Sequence, residues 1–250
     1  MLTEDRGPET ENSARTSLES PHSKPRIAAR ALVAVLALAA AAAALFYFSL
    51  PGVAALKTAF PKTTAFMERR KAELAREGKS ARLEWTPVPL ARISPALPRA
   101  VVAAEDARFY EHEGVDWDAV RGALESNWKR GRVRHGGSTI TQQLAKNLYL
   151  SPDRSWWRKL REWAIALRME SALPKRRILE LYVNVVEFGP RTYGAEAAAR
   201  RYFGKPAARL SDLEAATLAA IIPSPRIYDP VRHPDRVARR ARRILRWMER

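Results

Sequence analysis

The longest apolar run in the chain covers residues 31–56 and contains no charged side chain. About 20 apolar residues are enough for a helix to cross a bilayer. The aromatic residues Phe46–Phe48 lie near the far end of the run, where such side chains favour the membrane interface. The pattern therefore predicts a transmembrane anchor over residues 28–56.

A cleaved signal peptide is the alternative for this segment, because residues 53–55 are small and resemble a cleavage site. The apolar run is longer than the roughly 7–15 residues of a signal peptide, which favours an uncleaved anchor. Lys24, Arg26 and Arg30 precede the run and favour a cytoplasmic N-terminus, whereas Lys57 on the other side weakens this orientation.

Beyond the anchor, apolar positions recur at helical spacing. Residues 57–82 predict a linker with a short basic juxtamembrane helix, and the prolines of residues 85–98 predict an extended connector. Asp116, Ser155 and Ser211 each precede a helical pattern as N-caps. No convincing strand pattern and no repeat is found, so residues 83–250 predict one compact, mostly α domain.

Composition limits the classes of protein that fit. The chain has no cysteine, which excludes disulfides and thiolate metal sites. Residues 1–27 are rich in Ser, Glu, Pro and Thr and predict a disordered tail. The formal charge is +17, and the excess lies beyond Arg30. A basic body of this kind implies an anionic partner, either nucleic acid, lipid head groups or a phosphorylated substrate.

Candidate chemistry is concentrated between residues 105 and 147. Glu105 follows an apolar helical turn, so partial burial would suit it to acid or base work, although a lone glutamate is more often an ordinary surface residue. The run G-G-S-T at 136–139 precedes a helix, where free N–H groups bind anions, but Ser138 is also an ordinary N-cap. Lys146 lies about two turns further and would reach a phosphate held there.

A second group of charges follows at residues 154–162. Arg154, the run W-W-R-K at 156–159 and Glu162 combine cations with aromatic rings, which suits a lipid–water boundary. A solvated rim with an ordinary pair between Arg158 and Glu162 is the structural alternative.

Taken together and in order, these motifs resemble the peptidoglycan glycosyltransferases. The matching runs are E-D-x-x-F-x-x-H-x-G-x-D at 105–116, G-G-S-T-I-T-Q-Q-L-A-K-N at 136–147, R-K-x-x-E at 158–162 and K-R-R-I-L-E-x-Y-x-N at 175–184. The resemblance covers roughly residues 83–250. Val183, Arg191 and Thr192 depart from the usual pattern, at positions that concern only local loop geometry.

The resemblance implies a lysozyme-like α fold with a smaller membrane-facing lobe. It also implies polymerisation of lipid II, with Glu105 as general base and Glu162 assisting departure of the pyrophosphate. The substrate-binding residues that it implies are Asp106, Phe109, His112, Ser138, Thr139, Gln142, Gln143, Lys146, Asn147, Arg154, Arg158, Lys159, Glu180 and Asn184. No cofactor is firmly implied; a divalent cation, Mg²⁺ or Mn²⁺, that assists the leaving group is the one candidate.

Two other classes stay open at this stage. Paired carboxylates also serve enzymes that cleave glycan, and a basic surface also serves non-catalytic membrane or nucleic-acid binding. The S-x-x-K run at 126–129 has no downstream K-T-G, so no transpeptidase activity is expected. The family resemblance favours lipid II, the growing glycan chain and the membrane as partners, with division or elongation proteins as further candidates. The expected location is the inner membrane, with the catalytic domain on its periplasmic side.

Overall fold

The computed structural model describes residues 23–130, 137–153, 155–225 and 227–249. Two compact units divide the chain at Ser49. The described part of the first unit is the helix α1, Ser23–Phe48. Its segment Ala28–Phe48 has 21 residues and is long and apolar enough to cross a membrane, because a rise of about 1.5 Å per residue gives a length of about 30 Å.

The apolar helix ends earlier than the anchor predicted over residues 28–56. Pro51 and Gly52 follow it, and neither residue favours continuation of a helix. Leu50, Val53 and Leu56 are buried within the second unit. The last apolar residues of the run therefore contribute to the core of the soluble unit.

The second unit, residues 50–250, is mostly helical. Its helices are α2 (Ala65–Arg76), α3 (Ala96–Glu105), α4 (Trp117–Arg130), α5 (Ile140–Tyr149), α6 (Trp156–Ala172), α7 (Lys175–Val185), α8 (Ala195–Phe203), α9 (Asp212–Ile221) and α10 (Pro234–Met248). Single 3-10 turns lie at Ala54–Lys57, Leu90–Arg92 and Ala207–Arg209. The predicted mostly α fold is confirmed.

The predicted N-caps hold with one change. Asp116 accepts a hydrogen bond from the N–H of Ala119 at 2.9 Å, Ser155 caps α6, and Ser211 forms a capping box with Glu214. The cap of α5 is Thr139 rather than Ser138, because the hydroxyl of Thr139 accepts the N–H of Gln142.

A small sheet contradicts the expectation that the chain has no strand. Its strands are β1 (Glu84–Trp85), β2 (Glu187–Gly189) and β3 (Thr192–Tyr193), in the order β1-β3-β2. β1 pairs in parallel with β3, so that Glu84 lies opposite Thr192, and β2 pairs with β3 antiparallel. Strands of two or three residues are too short to show an alternating pattern.

Two groups of helices form the core and bring the sequence motifs at 105–116 and 136–147 together in space. α3 packs on α9 and α10, and α5 packs on α2, α6 and α7. α7 contributes the fully buried Ile178, Leu181 and Tyr182, and each such side chain stabilises the fold by roughly 1.5–3 kcal/mol. The two groups meet where the C-terminal end of α3 faces the N-terminal end of α5, since Asp106 accepts the N–H of Ile140 at 2.9 Å.

Candidate active site

Glu105 is the last residue of α3, and its side chain is 10% exposed. Its Oε2 accepts a hydrogen bond from Nε2 of Gln143 at 3.1 Å. Its Oε1 is buried, accepts no hydrogen bond from the described residues, and lies 3.6 Å from Nη2 of Arg240. One oxygen of the carboxylate is thus fixed by an amide, and the other lies next to a guanidinium group.

The surroundings of Glu105 favour its protonated form. Burial raises the pKa of the Glu105 carboxyl, and the nearby charge of Asp106 acts in the same direction. The hydrogen bond from Gln143 and the charges of Arg240 and Lys146 oppose this rise in pKa. A carboxylate with a raised pKa is a stronger base than an exposed glutamate, as acid–base catalysis near neutral pH requires.

Asp106 and His112 hold the turn after α3 in place. Nε2 of His112 lies 3.1 Å from both oxygens of Asp106, and its Nδ1 accepts the N–H of Gly114. Asp106 also accepts a hydrogen bond from the N–H of Ile140 at the N-terminus of α5, where a negative charge interacts favourably with the helix dipole. Both residues were predicted to bind substrate; in the structure their hydrogen bonds fix Glu105 relative to α5.

One face of α5 points towards the candidate site. Lys146 and Asn147 lie three and four positions after Gln143, so each is a neighbour of Gln143 on the surface of the helix. Gln143 contacts Glu105, whereas the side chain of Asn147 forms no hydrogen bond with any residue that the structure describes. Asn147 therefore keeps its amide free for a ligand.

Lys146 is a cation without a carboxylate partner in the described ranges. Its Nζ lies 5.8 Å from the centroid of the Phe66 ring, and it forms no ion pair there. Burial lowers the pKa of the Lys146 ammonium; Arg158 and Lys159 lower it further, and Glu162 and Glu105 oppose them. Lys146 therefore lies within electrostatic range of both candidate carboxylates.

Glu162 is surrounded by cations. Its two oxygens accept hydrogen bonds from Nη1 of Arg158 at 2.6 Å and Nζ of Lys159 at 2.5 Å, and the residue is 2% exposed. Lys159 also donates to the hydroxyl of Ser138 at 2.9 Å. The structure thus joins the G-S-T turn before α5 to the cation cluster at the start of α6.

Four residues predicted to bind substrate have contacts within the fold, and their part in substrate binding stays a prediction. Phe109 is fully buried under Lys175, Gln142 completes the capping box of Thr139, and Glu180 binds the N–H of Leu90 and the guanidinium of Arg177. Asn184 is fully buried and binds both backbone groups of Val88. The polar atoms of Glu180 and Asn184 are all used in these contacts, whereas Nε2 of Gln142 has no partner among the described residues. Arg154, also predicted to bind substrate, lies outside the described residues.

Two residues near Glu105 were missed from the sequence. Arg240 lies between Val237 and Ile244 at helical spacing, which places it on the buried stripe of α10. Tyr182 is fully buried, and its hydroxyl donates to Oε1 of Gln143 at 2.7 Å. In both cases, the sequence signal that could have identified the residue was a polar group on the apolar face of a helix.

Two cavities open beside Glu105. A groove of about 720 Å³ is lined mainly by small and apolar side chains of α3 and by Trp247 and Met248 of α10. A smaller cavity of about 250 Å³ is polar and includes Asp106, Gly137, Ser138 and Thr139. Glu105 lines both cavities, so a reactant in either one can approach the carboxyl group.

The described side chains near the site do not form a set of ligands that would bind a divalent cation by themselves. Within the described ranges, no three His, Asp or Glu side chains are grouped as ligands. Both oxygens of Glu162 already contact Arg158 and Lys159. The assisting Mg²⁺ or Mn²⁺ stays a prediction, and no step below depends on it.

A carboxyl group with a raised pKa and a cluster of cations are compatible with an enzyme that transfers a group. The transglycosylase family model matches residues 70–249. The chain belongs to this family and is a glycosyltransferase.

Relatives from several bacteria agree with this assignment. A biosynthetic peptidoglycan transglycosylase of Laribacter hongkongensis is 50% identical over 188 residues, which cover 75% of this chain and 82% of the relative. Proteins of the same name from Nitrosospira multiformis and an Azoarcus species are 51% and 52% identical over 185 and 200 residues. These alignments cover 74% and 79% of this chain and 80% and 86% of the relatives.

Proposed function

We propose that this chain polymerises lipid II into the glycan strands of peptidoglycan. The 4-hydroxyl of an acceptor GlcNAc attacks C1 of a donor MurNAc, a β-1,4 bond forms with inversion, and polyprenyl diphosphate leaves. The observation that carries the proposal is the half-buried Lys146 ammonium, which lacks an ion-pair partner among the described residues and lies in range of Glu105. The name shared by the relatives points to the same product.

Glu105 is the general base in this proposal. Its carboxylate takes the proton as the O–H bond of the acceptor breaks and the new bond from oxygen to C1 forms. Gln143 donates a hydrogen bond to Oε2, which fixes the carboxyl plane. General bases of this kind contribute about 10²–10⁴-fold to a rate.

The cation cluster stabilises the leaving group. As the bond from C1 to the phosphate oxygen breaks, its electron pair passes to the pyrophosphate, and Lys146, Arg158 and Lys159 supply positive charge. Glu162 places two of these cations through hydrogen bonds at 2.6 and 2.5 Å. We therefore assign Glu162 to holding Arg158 and Lys159 rather than to proton transfer. Enzymes that cleave glycan have no such anion to stabilise.

The membrane supplies both substrates in this proposal. α1 anchors the chain in the inner membrane, and the catalytic unit lies on the periplasmic side, where it meets lipid-linked donor and acceptor. Trp156 and Trp157 are 92% and 59% exposed at the start of α6, beside the cations that hold the pyrophosphate. Exposed tryptophans next to cations suit contact with the lipid–water boundary. A reporter fused at the C-terminus that is active only in the cytoplasm would contradict this topology.

Polymerisation of labelled lipid II by the detergent-purified chain tests the activity. We expect lysozyme-sensitive polymer from the wild type and from Glu77→Gln, whose side chain is exposed and paired with Lys79. Glu105→Gln should form polymer at least about 10²-fold more slowly, because the base is lost. Release of fragments from purified wall, with no polymer, would instead identify an enzyme that cleaves glycan.

Lys146→Ala tests the role of the cations. The loss of one preorganised charge at the leaving group should lower kcat by about 10²–10³-fold. Lys71→Ala is the matched control, because Lys71 is exposed on α2 and paired with Glu68. Equal activity of the two variants would remove Lys146 from the mechanism.

A further inference from the structure

Three side chains from three helices form a hydrogen-bonded chain that ends at Glu105. The hydroxyl of Tyr182 on α7 donates to Oε1 of Gln143 on α5 at 2.7 Å. Nε2 of the same amide donates to Oε2 of Glu105, at the end of α3, at 3.1 Å. The order of donors and acceptors is therefore consistent from the buried phenol to the carboxylate.

Among the described residues, Gln143 is the hydrogen-bond partner of the Tyr182 hydroxyl. The Tyr182 side chain is fully buried, and Ile178, Leu179 and Leu181 on the same helix are also buried. A buried hydroxyl without a partner is costly, so the phenol retains its bond to Gln143. Burial also raises the pKa of the Tyr182 phenol, and the charges of Glu105 and Asp106 act in the same direction, which keeps the group protonated and a donor.

The hydrogen bond from Tyr182 favours one of the two orientations of the Gln143 amide. An amide presents either its oxygen or its NH₂ group to a neighbour, and rotation by half a turn exchanges them. The Tyr182 hydroxyl donates to the amide oxygen, and the ionised Glu105 carboxylate can only accept, so the two contacts together favour the orientation in which oxygen faces Tyr182 and NH₂ faces Glu105. Without the phenol, the buried oxygen of Gln143 loses its partner and the amide loses the contact that fixes it.

We propose that Tyr182 is a positioning residue of the catalytic base: it locks the amide of Gln143 so that Glu105 is held in the orientation and charge state that proton removal needs. The inference rests on the proposed function, because it assigns Tyr182 a part in the reaction for which Glu105 is the base. Tyr182 itself touches no substrate, since it lies behind Gln143 in the core.

Several other groups act on Glu105, and the test must separate Tyr182 from them. Arg240 of α10 and Lys146 of α5 stabilise the carboxylate, and Asp106 next to it destabilises the charged form. Tyr182→Phe leaves all three unchanged and removes one oxygen atom only. A weaker hydrogen bond to the charged form of Glu105 raises its pKa, so the acidic limb of the rate profile should move to higher pH.

The experiment compares Tyr182→Phe with Tyr202→Phe in the full-length chain, with lipid II as substrate. Tyr202 is the matched control, because its hydroxyl donates to the carbonyl of Phe188 at 2.9 Å and is not part of the site. We expect Tyr182→Phe to lower kcat by about ten-fold, the effect of one hydrogen bond, to leave KM nearly unchanged, and to shift the acidic limb. Tyr202→Phe should change only the melting temperature.

A double-mutant cycle with Gln143→Leu shows whether Tyr182 acts through the amide. When Gln143 is already leucine, Tyr182→Phe should have no further effect on kcat, because no amide is left to orient. Additive losses, or a pH profile of Tyr182→Phe that matches the wild type, would overturn the inference. Absence of polymer from the wild type would refute the proposed function instead, so the two failures are distinguishable.

Discussion

Asn184→Ala tests whether a residue of the fourth sequence motif binds substrate or holds the fold. Asn184 Oδ1 accepts the N–H of Val88 at 2.9 Å, and Nδ2 donates to the carbonyls of Val88 and Glu180 at 2.9 and 2.8 Å. Val88 lies just after β1 and is itself buried. The amide thus attaches the connector before α3 to the end of α7.

The cost of the substitution follows from the groups that it leaves unpaired. Alanine removes both partners of Val88, and each buried polar group without a partner costs about 1–3 kcal/mol. A total of about 3 kcal/mol should lower the melting temperature of a unit of this size by roughly 6–12 °C, at about 2–4 °C per kcal/mol. Substrate affinity should change little, because no polar atom of Asn184 is free.

Asn147→Ala is the matched control for this prediction. Asn147 is 8% exposed and forms no side-chain hydrogen bond within the described ranges. Its loss should hardly affect the melting temperature but should raise KM for lipid II. Thermal melts at one scan rate and initial rates against lipid II concentration measure both quantities. An Asn184→Ala variant that melts like the wild type and binds lipid II more weakly would refute the structural role.

Two further predictions concern the charge beside Glu105 and the backbone behind Asn184. Arg240→Gln removes a charge that lowers the pKa of Glu105, so the acidic limb of kcat/KM should move to higher pH, whereas Arg239→Gln on the exposed side of α10 should leave the profile unchanged. A shift of the limb to lower pH would contradict this sign. Gly194→Ala should destabilise the fold by about 2–4 kcal/mol, because Gly194 has a φ of 78° and a Cβ there would lie 2.6 Å from the carbonyl oxygen of Asn184. Gly122→Ala in α4 meets no atom within 4 Å and should be neutral or stabilise by up to about 1 kcal/mol; chemical denaturation of both variants measures the difference.

The helices and their starting points could be predicted from the sequence, because their signals are local. A side chain such as Asp116 or Ser155 caps the helix that begins directly after it, so no distant contact is needed. The apolar run also predicted the existence of α1, although the helix ends at Phe48 and not at residue 56. The strands could not be predicted, since β1 is only two residues long and depends on β3, far along the chain, for its pairing.

Some residues of the candidate site could be named from the sequence, but the contacts that each of them makes could not. The motifs placed Glu105, Lys146 and Glu162 in one list with Gln142 and Asn184, because sequence order does not show which face of a helix meets the core. Gln142 and Gln143 are neighbours, yet one caps α5 and the other contacts Glu105. Successive residues of a helix point about 100° apart, and only the packing of α5 decides which side faces the site.

The position of α10 late in the chain affects when the candidate site forms during synthesis of the protein. Glu105 emerges from the ribosome early, whereas Arg240, which lies 3.6 Å from it, belongs to the last helix of the described chain. Until α10 docks on α3 and α9, the base lacks one of its two neighbouring cations and one wall of the groove beside it. A nascent chain therefore carries every sequence motif of the family before it has a finished site, and completion of its C-terminal helix sets the moment at which that site is assembled.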